Sequence, residues 1–504
     1  MHIDQTASRL ARLGLSRRDM LGGAALAAMA LVSRHALGAA EVATTTAAGN
    51  LADSFVRVSP RDARYFELSN GQPYIPIGVN LAVIGGRPSD EAAGLAIVDD
   101  WFQKLSRYGG NFARVWIGAE FFDVEHERSG EYDPARAKRI GAMLALARRH
   151  GIRVKLCIEY FRTLNPNSSQ KWTMKPLHRI DHGGPARDMD DFYTSDRCRE
   201  QFKRKLAWFQ ERIGSDPTIF GWELWNEINA VSAKQTSYMP WTQEMLGELH
   251  RLFPRNLAVQ SLGSFDRETT RDLYRSMCTM AGNDVAQVHR YLDQGAKLDI
   301  CRGPMDLLAS AAVREVRDFD PRRPVLLAES GAVQPSHSGP SRLYEKDKAG
   351  MLLHDVLFAP FFAGAAGTGH CWHWDAYVDR NDLWHCFGRF AAVVKDLDPP
   401  AEDFQPSMLA HPRLRVYQLK GRRTRLLWCR DSQNTWQTEL EQGRAPDTLT
   451  GVNLDLAEAV RGANVAGVQV YDPWQDRWTD AKLDDGALAL PAFSRSIVVR
   501  LALR

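Results

Sequence analysis

Two glutamates close two apolar, strand-like runs. Glu227 ends GWELWNE (Gly221–Glu227) and Glu329 ends PVLLAE (Pro324–Glu329). A carboxylate placed where a buried strand meets a polar loop is partly desolvated, which raises its pKa and lets it hold a proton near neutrality. One such glutamate alone serves equally well as a surface ion pair or a helix N-terminal acid. Two that face each other over a cleft are the minimum set for cleaving a glycosidic bond: one protonates the leaving oxygen, the other attacks the anomeric carbon or activates water. Alternation along the first run puts Glu223, Trp225 and Glu227 on one face, with Glu223 four residues deeper.

The elements around these glutamates say how they meet. Between residues 70 and 396, strand-like runs end at Asn80, Trp116, Tyr160, Glu227, Ser261, Tyr291, Ser330 and Trp374, with helix-like stretches between them. One helix is predicted from Pro134 to His150, with Asp133 as N-cap, proline in the first turn and Gly151 just past the end. Its apolar positions Ile140, Met143, Leu144 and Ala147 follow helical spacing. A second is expected from Asp196 to Ile213, with Phe202, Leu206, Phe209 and Ile213 on one stripe. Eight strands alternating with helices predict a (β/α)8 TIM barrel over residues 54–397. Its active site would lie among the loops at the C-terminal ends of the strands, where residues 117–132, 161–195 and 230–240 are enlarged. Glu227 then closes strand four and Glu329 strand seven, across the mouth from each other. The rival fold, an open doubly wound sheet, lacks its Gly-x-Gly-x-x-Gly turn. After DLDPP (Asp396–Pro400) the segments become short, β-branched and turn-bounded, which predicts a C-terminal antiparallel β-sandwich over 401–504, with a helix expected there only around Asn453 to Val460.

At this point the chain resembles a known family, the clan A glycoside hydrolases near family 5 and its cellulase- and mannanase-like relatives. The matching pieces run in the clan's order over about residues 55 to 395: GVN (Gly78–Asn80), GGNFARVW (Gly109–Trp116), WELWNE (Trp222–Glu227), HRY (His289–Tyr291), AESG (Ala328–Gly331) and CWHWD (Cys371–Asp375). The resemblance implies a retaining glycoside hydrolase acting on a β-linked oligo- or polysaccharide. In it Glu227 is the general acid/base and Glu329 the nucleophile. It further implies that Asn226 binds the sugar 2-hydroxyl, Arg114 keeps Glu329 ionised, His289 and Tyr291 orient the carboxylates, and Trp372 floors the reacting sugar with help from Trp374 or His373. Asn80 is a further substrate-binding candidate. Glu120, Asp123, Trp172, Tyr238 and Trp241 lie on the enlarged loops and are candidates to shape more distant subsites. Transglycosylation uses the same two carboxylates, and a barrel that only binds glycan is the non-catalytic alternative; retention of both carboxylates argues against the latter.

Composition narrows the other classes. At 44% hydrophobic and 25% charged, the 504 residues suit a soluble protein with a large core. The net charge of +3 comes entirely from the first 40 residues, where Arg9, Arg12, Arg17, Arg18 and Arg34 outnumber Asp4 and Asp19. The balanced remainder offers no general attraction for nucleic acid or an anionic membrane. Residues 1–40 resemble a twin-arginine export signal: SRRDML, a short apolar run from Leu21 to Val32, then small residues from Ala36 to Ala40. Met20 and Gly22 depart from that pattern. The apolar run is too short to span a bilayer, so a periplasmic or secreted protein without stable membrane insertion is expected. The seven cysteines show no pairing rhythm, with Cys278–Cys301 the one disulfide considered. His370, Cys371, His373, His385 and Cys386 cluster in sequence but fit no usual zinc spacing. No Gly-x-Ser-x-Gly elbow occurs. No cofactor is required, since side chains alone can supply acid, base and nucleophile.

Overall fold

The structure, a computed structural model, describes residues 53–84, 88–160, 163–164, 176–337 and 339–504. The export-signal segment and Trp172 lie outside the described residues. Ser54–Arg504 pack as one unit.

Among the described residues seven parallel strands form the barrel wall: Gly78–Asn80, Phe112–Trp116, Arg153–Glu159, Ile219–Trp225 and Leu257–Val259 in one sheet, then Ala286–His289 paired with Val325–Glu329. They are counted here as strands one to seven. The predicted eighth strand is reduced to a short extended segment. Cys371 bridges in parallel to Val79 of strand one and to Ser330 just past strand seven. The backbone N–H groups of His370 and Trp372 donate to Leu327 and Ser330 at 3.0 and 2.9 Å, and that of Asn80 donates to Cys371 at 3.1 Å, which closes the ring between strands seven and one. Gly78 is needed for the wall: a Cβ there would sit 1.8 Å from the carbonyl oxygen of Phe112 on strand two.

The outer helices follow the predicted amphipathic stripes. Pro134–Arg149 is capped by Asp133, whose carboxylate accepts from the N–H of Ala135 at 2.8 Å, and it ends at Gly151 with φ +69°. Asp196–Ile213 buries Phe202, Leu206 and Phe209. Met351–Phe362 differs from the others, because all twelve of its residues are buried. It is apolar on every side because it is covered twice, by the barrel and by the C-terminal strands.

Those strands form a six-stranded antiparallel sheet in the order 405–409, 414–420, 424–431, 496–503, 465–472, 477–481. Alternation gives the sheet two apolar faces. Tyr417, Leu419, Leu426, Trp428, Tyr471 and Val498 join the barrel's core. Val416, Leu427, Cys429, Val470, Ile497 and Val499 face a second cluster that includes Leu449, Leu454, Leu488 and Phe493 from two small antiparallel ladders. Paired charges seal the first face: Arg430 donates to both oxygens of Asp355, while Arg415 and Tyr417 donate to Asp306 at 2.6–2.9 Å. A chain ending at Pro400 would leave the helix Met351–Phe362 facing water and Asp355 and Asp306 without partners. It is expected to partition into the insoluble fraction on expression, checked by sedimentation against the full chain.

Three expectations are corrected here. Asn453–Val460 is not a helix: Asn453–Asp455 is a strand paired with Ala487–Ala489, and turns follow it. Cys278 and Cys301 form no disulfide; both thiols are free and face different backbone carbonyls, those of Gln287 and Phe265. Strand eight does not run to Trp374, because a π-helical turn starts there and spans Trp374–Asp379.

Candidate active site

The C-terminal ends of strands two, four, six and seven bring the key side chains together. Strand four stops at Trp225, two residues earlier than the apolar run implies, and Glu227 follows in the left-handed region at φ 50°, ψ 55°. A glutamate rarely adopts that conformation, and its cost is borne by the surroundings. Here the N–H of Glu227 donates to the Ser261 hydroxyl at 3.1 Å and that of Asn226 to the Glu159 carbonyl at 2.8 Å. The turn swings the carboxylate inward, where one oxygen each from Glu227 and Glu329, together with a nitrogen of His289, all lie within 4.8 Å of one another.

The two carboxylates are held in different ways. Glu329 accepts from Nη1 of Arg114 and, at 2.6 Å, from the Tyr291 hydroxyl. Glu227 accepts from Nδ1 of His289 at 2.8 Å, and that nitrogen is also 3.4 Å from Glu329. The side chain of Glu227 is 14% exposed and that of Glu329 4%. Burial pushes Glu227 well above the usual carboxylate range, and the charge of Glu329 pushes it further. Burial also raises Glu329, but Arg114 and Tyr291 oppose that rise. Glu329 is therefore the member that ionises first and Glu227 the member that keeps its proton. His289 is buried, and burial together with the nearby cations Arg114 and Lys155 lowers its pKa well below the ordinary imidazole value. It is neutral, and the tautomer with the proton on Nδ1, the nitrogen that faces both carboxylates, donates to Glu227 without adding a charge that would pull the proton off.

Arg114 is the hub. Its Nε and Nη2 donate to the two oxygens of Glu223 at 2.6 and 2.9 Å, Nη2 also donates to Oδ1 of Asn226 at 2.7 Å, and Nη1 reaches Glu329 and Oδ1 of Asn80. Asn226 thereby has its oxygen committed and its Nδ2 buried without a partner among the described residues, a donor available beside the two carboxylates. Asn80 sits deeper. Its amide nitrogen is spent on the carbonyls of Ala328, His370 and Cys371, so it acts on the site through Arg114. Trp372 is partly exposed and packs against Trp116, 4.9 Å between ring centroids, and Trp116 in turn stacks on Tyr160 at 5.3 Å. Trp372 thus offers an aromatic wall suited to the apolar face of a ring, backed by the buried Trp116 and Tyr160. Trp374 lies behind it, 3% exposed, edge-on to Trp372 and Trp101. It supports the wall from behind and is not a surface of it. Of the loop candidates, Asp123, Tyr238 and Trp241 are buried and Glu120 is exposed.

Three contributors are not evident from the motifs. The Ser261 hydroxyl fixes the turn at Glu227. Glu223 grips Arg114 from below. His337, beyond strand seven at φ 56°, lies edge-on to Tyr291 at 5.2 Å and ties Ser264 to Asp293 across three loops at 3.0 Å each. Only Glu223 carries a sequence signal, being an acid inside an apolar strand and in phase with Glu227.

Comparison with known proteins adds to this geometry. No family model matches the chain. Over 259 residues it is 28% identical to mannan endo-1,4-beta-mannosidase 3 of Oryza sativa subsp. japonica, covering 46% of this chain and 54% of that protein. It is 24% identical over 289 residues to mannan endo-1,4-beta-mannosidase 7 of Arabidopsis thaliana, covering 52% and 65%. The match thus spans about half to two thirds of these relatives' own length. Among solved structures, a family 5 glycoside hydrolase from Bacteroides vulgatus superposes with a TM-score of 0.57 at 13% identity, covering 89% of this chain and 93% of that one. The chain resembles family 5 glycoside hydrolases. A further glycoside hydrolase structure gives a TM-score of 0.56 at 11% identity, over 89% and 97%. The likeness in fold to these hydrolases therefore extends past the barrel into the C-terminal strands.

Proposed function

We propose that this protein is a retaining glycoside hydrolase that cleaves a β-linked polysaccharide, with β-1,4-linked mannan as the substrate class. The observation that carries the reading is the asymmetric carboxylate pair. Glu227 and Glu329 approach within 4.8 Å, one beside a neutral histidine and the other beside an arginine. So close an approach of two carboxylate oxygens favours direct attack, for which the carboxyls stand about 5–5.5 Å apart, over an intervening water, which needs ~6.5–9.5 Å. The names of the plant relatives support mannan.

In this reading Glu329 attacks the anomeric carbon while Glu227 gives its proton to the departing glycosidic oxygen. A covalent glycosyl ester forms on Glu329. Glu227, now ionised, takes a proton from water, which attacks the same carbon and frees Glu329. The free Nδ2 of Asn226 donates to the sugar 2-hydroxyl, and Trp372 lies under the ring. Transfer to a second sugar in place of water would use the same residues and is separated from hydrolysis by product analysis at high acceptor concentration. Residues 54–397 are proposed as the catalytic region and 401–504 as a supporting β-sandwich, its second layer made by the two small ladders. The twin-arginine-like leader supports export, to the periplasm or beyond. Among the described residues no helix is long and apolar enough to cross a membrane.

The test is digestion of defined β-1,4-manno-oligosaccharides by the purified protein, followed by proton NMR of the first product. Retention of the β anomer is expected. Inversion, or no cleavage of any mannan, overturns the reading. A pH prediction comes with it. The acid limb of kcat/KM follows ionisation of Glu329 and the alkaline limb follows loss of the Glu227 proton. Burial raises both groups, so the bell is expected to lie on the alkaline side of ordinary carboxylate values, about 4, with activity retained at neutrality. A rate profile that peaks at that ordinary value and is lost by neutral pH contradicts the assignment.

A further inference from the structure

The reaction proposed above uses groups at the mouth of the barrel and gives no step to a second charged layer below them. Lys155 on strand three, Glu223 on strand four and Gln287 on strand six are all buried. Barrel interiors are usually filled with branched apolar side chains, and burying ions carries a heavy desolvation cost that only good geometry offsets. The geometry here is continuous. Lys155 donates to Oε1 of Gln287 and lies 3.6 Å from Oε2 of Glu223. Glu223 grips Nε and Nη2 of Arg114 with both oxygens, and the remaining arm, Nη1, ends on Glu329.

We propose that Glu223 and Lys155 are positioning residues that set the ionisation and orientation of Glu329 through Arg114. The inference rests on reading Glu329 as the nucleophile. A guanidinium is a rigid planar fork, so a two-point grip on one side fixes where the third arm points. The same grip divides the charge of Arg114 between two carboxylates. Lys155 partly neutralises Glu223 and so returns more of that charge to Glu329. The charged and titratable groups that face Lys155 are Glu223, Arg114, Cys157, Glu329, His289 and His370; Gln287 is neutral. Burial brings Lys155 down to about 8, with Glu223 holding it up. Burial works to raise Glu223, but Arg114 and Lys155 outweigh it and keep this acid below its ordinary value. Both ions are thus present at neutral pH.

The test measures kcat and KM against pH for the full chain and for Glu223→Gln and Lys155→Met, with melting curves to establish folding. Glu223→Gln releases Arg114 from its second carboxylate. The acid limb is expected to move down by about half a pH unit or more, with kcat reduced more than about tenfold and KM little changed because the fork is no longer aimed. Lys155→Met leaves Glu223 with its full hold on Arg114, so the limb is expected to move up. Opposed shifts support the proposal. Folded variants with the wild-type limb and wild-type kcat overturn it. If a single variant does not fold, the double variant, which removes both charges together, is read for kcat: a loss at unchanged KM supports the proposal, and a wild-type value overturns it. Failure of all three to fold also overturns it, in favour of a purely structural pair. Failure of the hydrolase reading itself looks different, because wild type and Glu329→Gln would then be equally inert.

Discussion

Glu329→Gln is expected to lose turnover by at least about 10⁴-fold on mannan, a rise in barrier of roughly 5.5 kcal/mol, while retaining affinity for the oligosaccharide. The amide has nearly the shape of the carboxylate and can still meet Tyr291, whose hydroxyl is 2.6 Å from Oε2 in the native protein. It carries no charge for Arg114, and its neutral oxygen is far too weak a nucleophile to replace a carboxylate at the anomeric carbon. The loss should therefore fall on kcat, with KM close to wild type, which separates a missing nucleophile from a damaged cleft. Isothermal titration with a manno-oligosaccharide, beside steady-state kinetics, checks both halves. Wild-type turnover in this variant would remove Glu329 from the chemistry.

Glu227→Ala is expected to behave differently according to the leaving group. With mannan the departing alkoxide needs a proton, and the loss is expected to be about 10²–10⁴-fold. With an aryl mannoside whose leaving group departs unprotonated, formation of the glycosyl ester should persist while its hydrolysis slows, because no base activates water. A burst of phenol followed by a slow steady state is the expected trace. Azide, which needs no general base, should then accelerate turnover and give a β-glycosyl azide. The cavity left by the glutamate admits so small an anion, with the His289 Nδ1–H that formerly met Glu227 at 2.8 Å available as a donor. An equal loss on both substrate types, without azide rescue, would show that Glu227 is not the proton donor.

The sequence reveals the partners more readily than the geometry that unites them. Counting strands places Glu227 and Glu329 opposite each other, because each ends an apolar run and a barrel fixes which runs face. Arg114, His289 and Tyr291 are legible through the resemblance of GGNFARVW and HRY to the clan's segments. The left-handed backbone at Glu227 is not legible, since it depends on a hydroxyl at Ser261, 34 residues away, that the local sequence does not encode. Lys155 is hidden for a related reason: within RVKLCIEY it reads as one polar residue of an alternating strand, and only barrel closure brings it beside Glu223. Trp374 illustrates the opposite error. An aromatic two residues after Trp372 shares its face if a strand continues, but the chain turns at His373 and sends that ring into the core. In the C-terminal region, Asn453–Val460 carries Leu456, Ala459 and Val460 at helical spacing, yet the strand Ala487–Ala489 offers an open edge and pairing with it prevails.

The most direct test of the central claim is intact-protein and peptide mass spectrometry after reaction with a 2-fluoro manno-oligosaccharyl fluoride, whose good leaving group lets the ester form while the fluorine slows its hydrolysis. One glycosyl unit attached to Glu329, formed with β-to-α inversion and released on adding acceptor, is the predicted result. No adduct, or an adduct on any other side chain, would contradict the account.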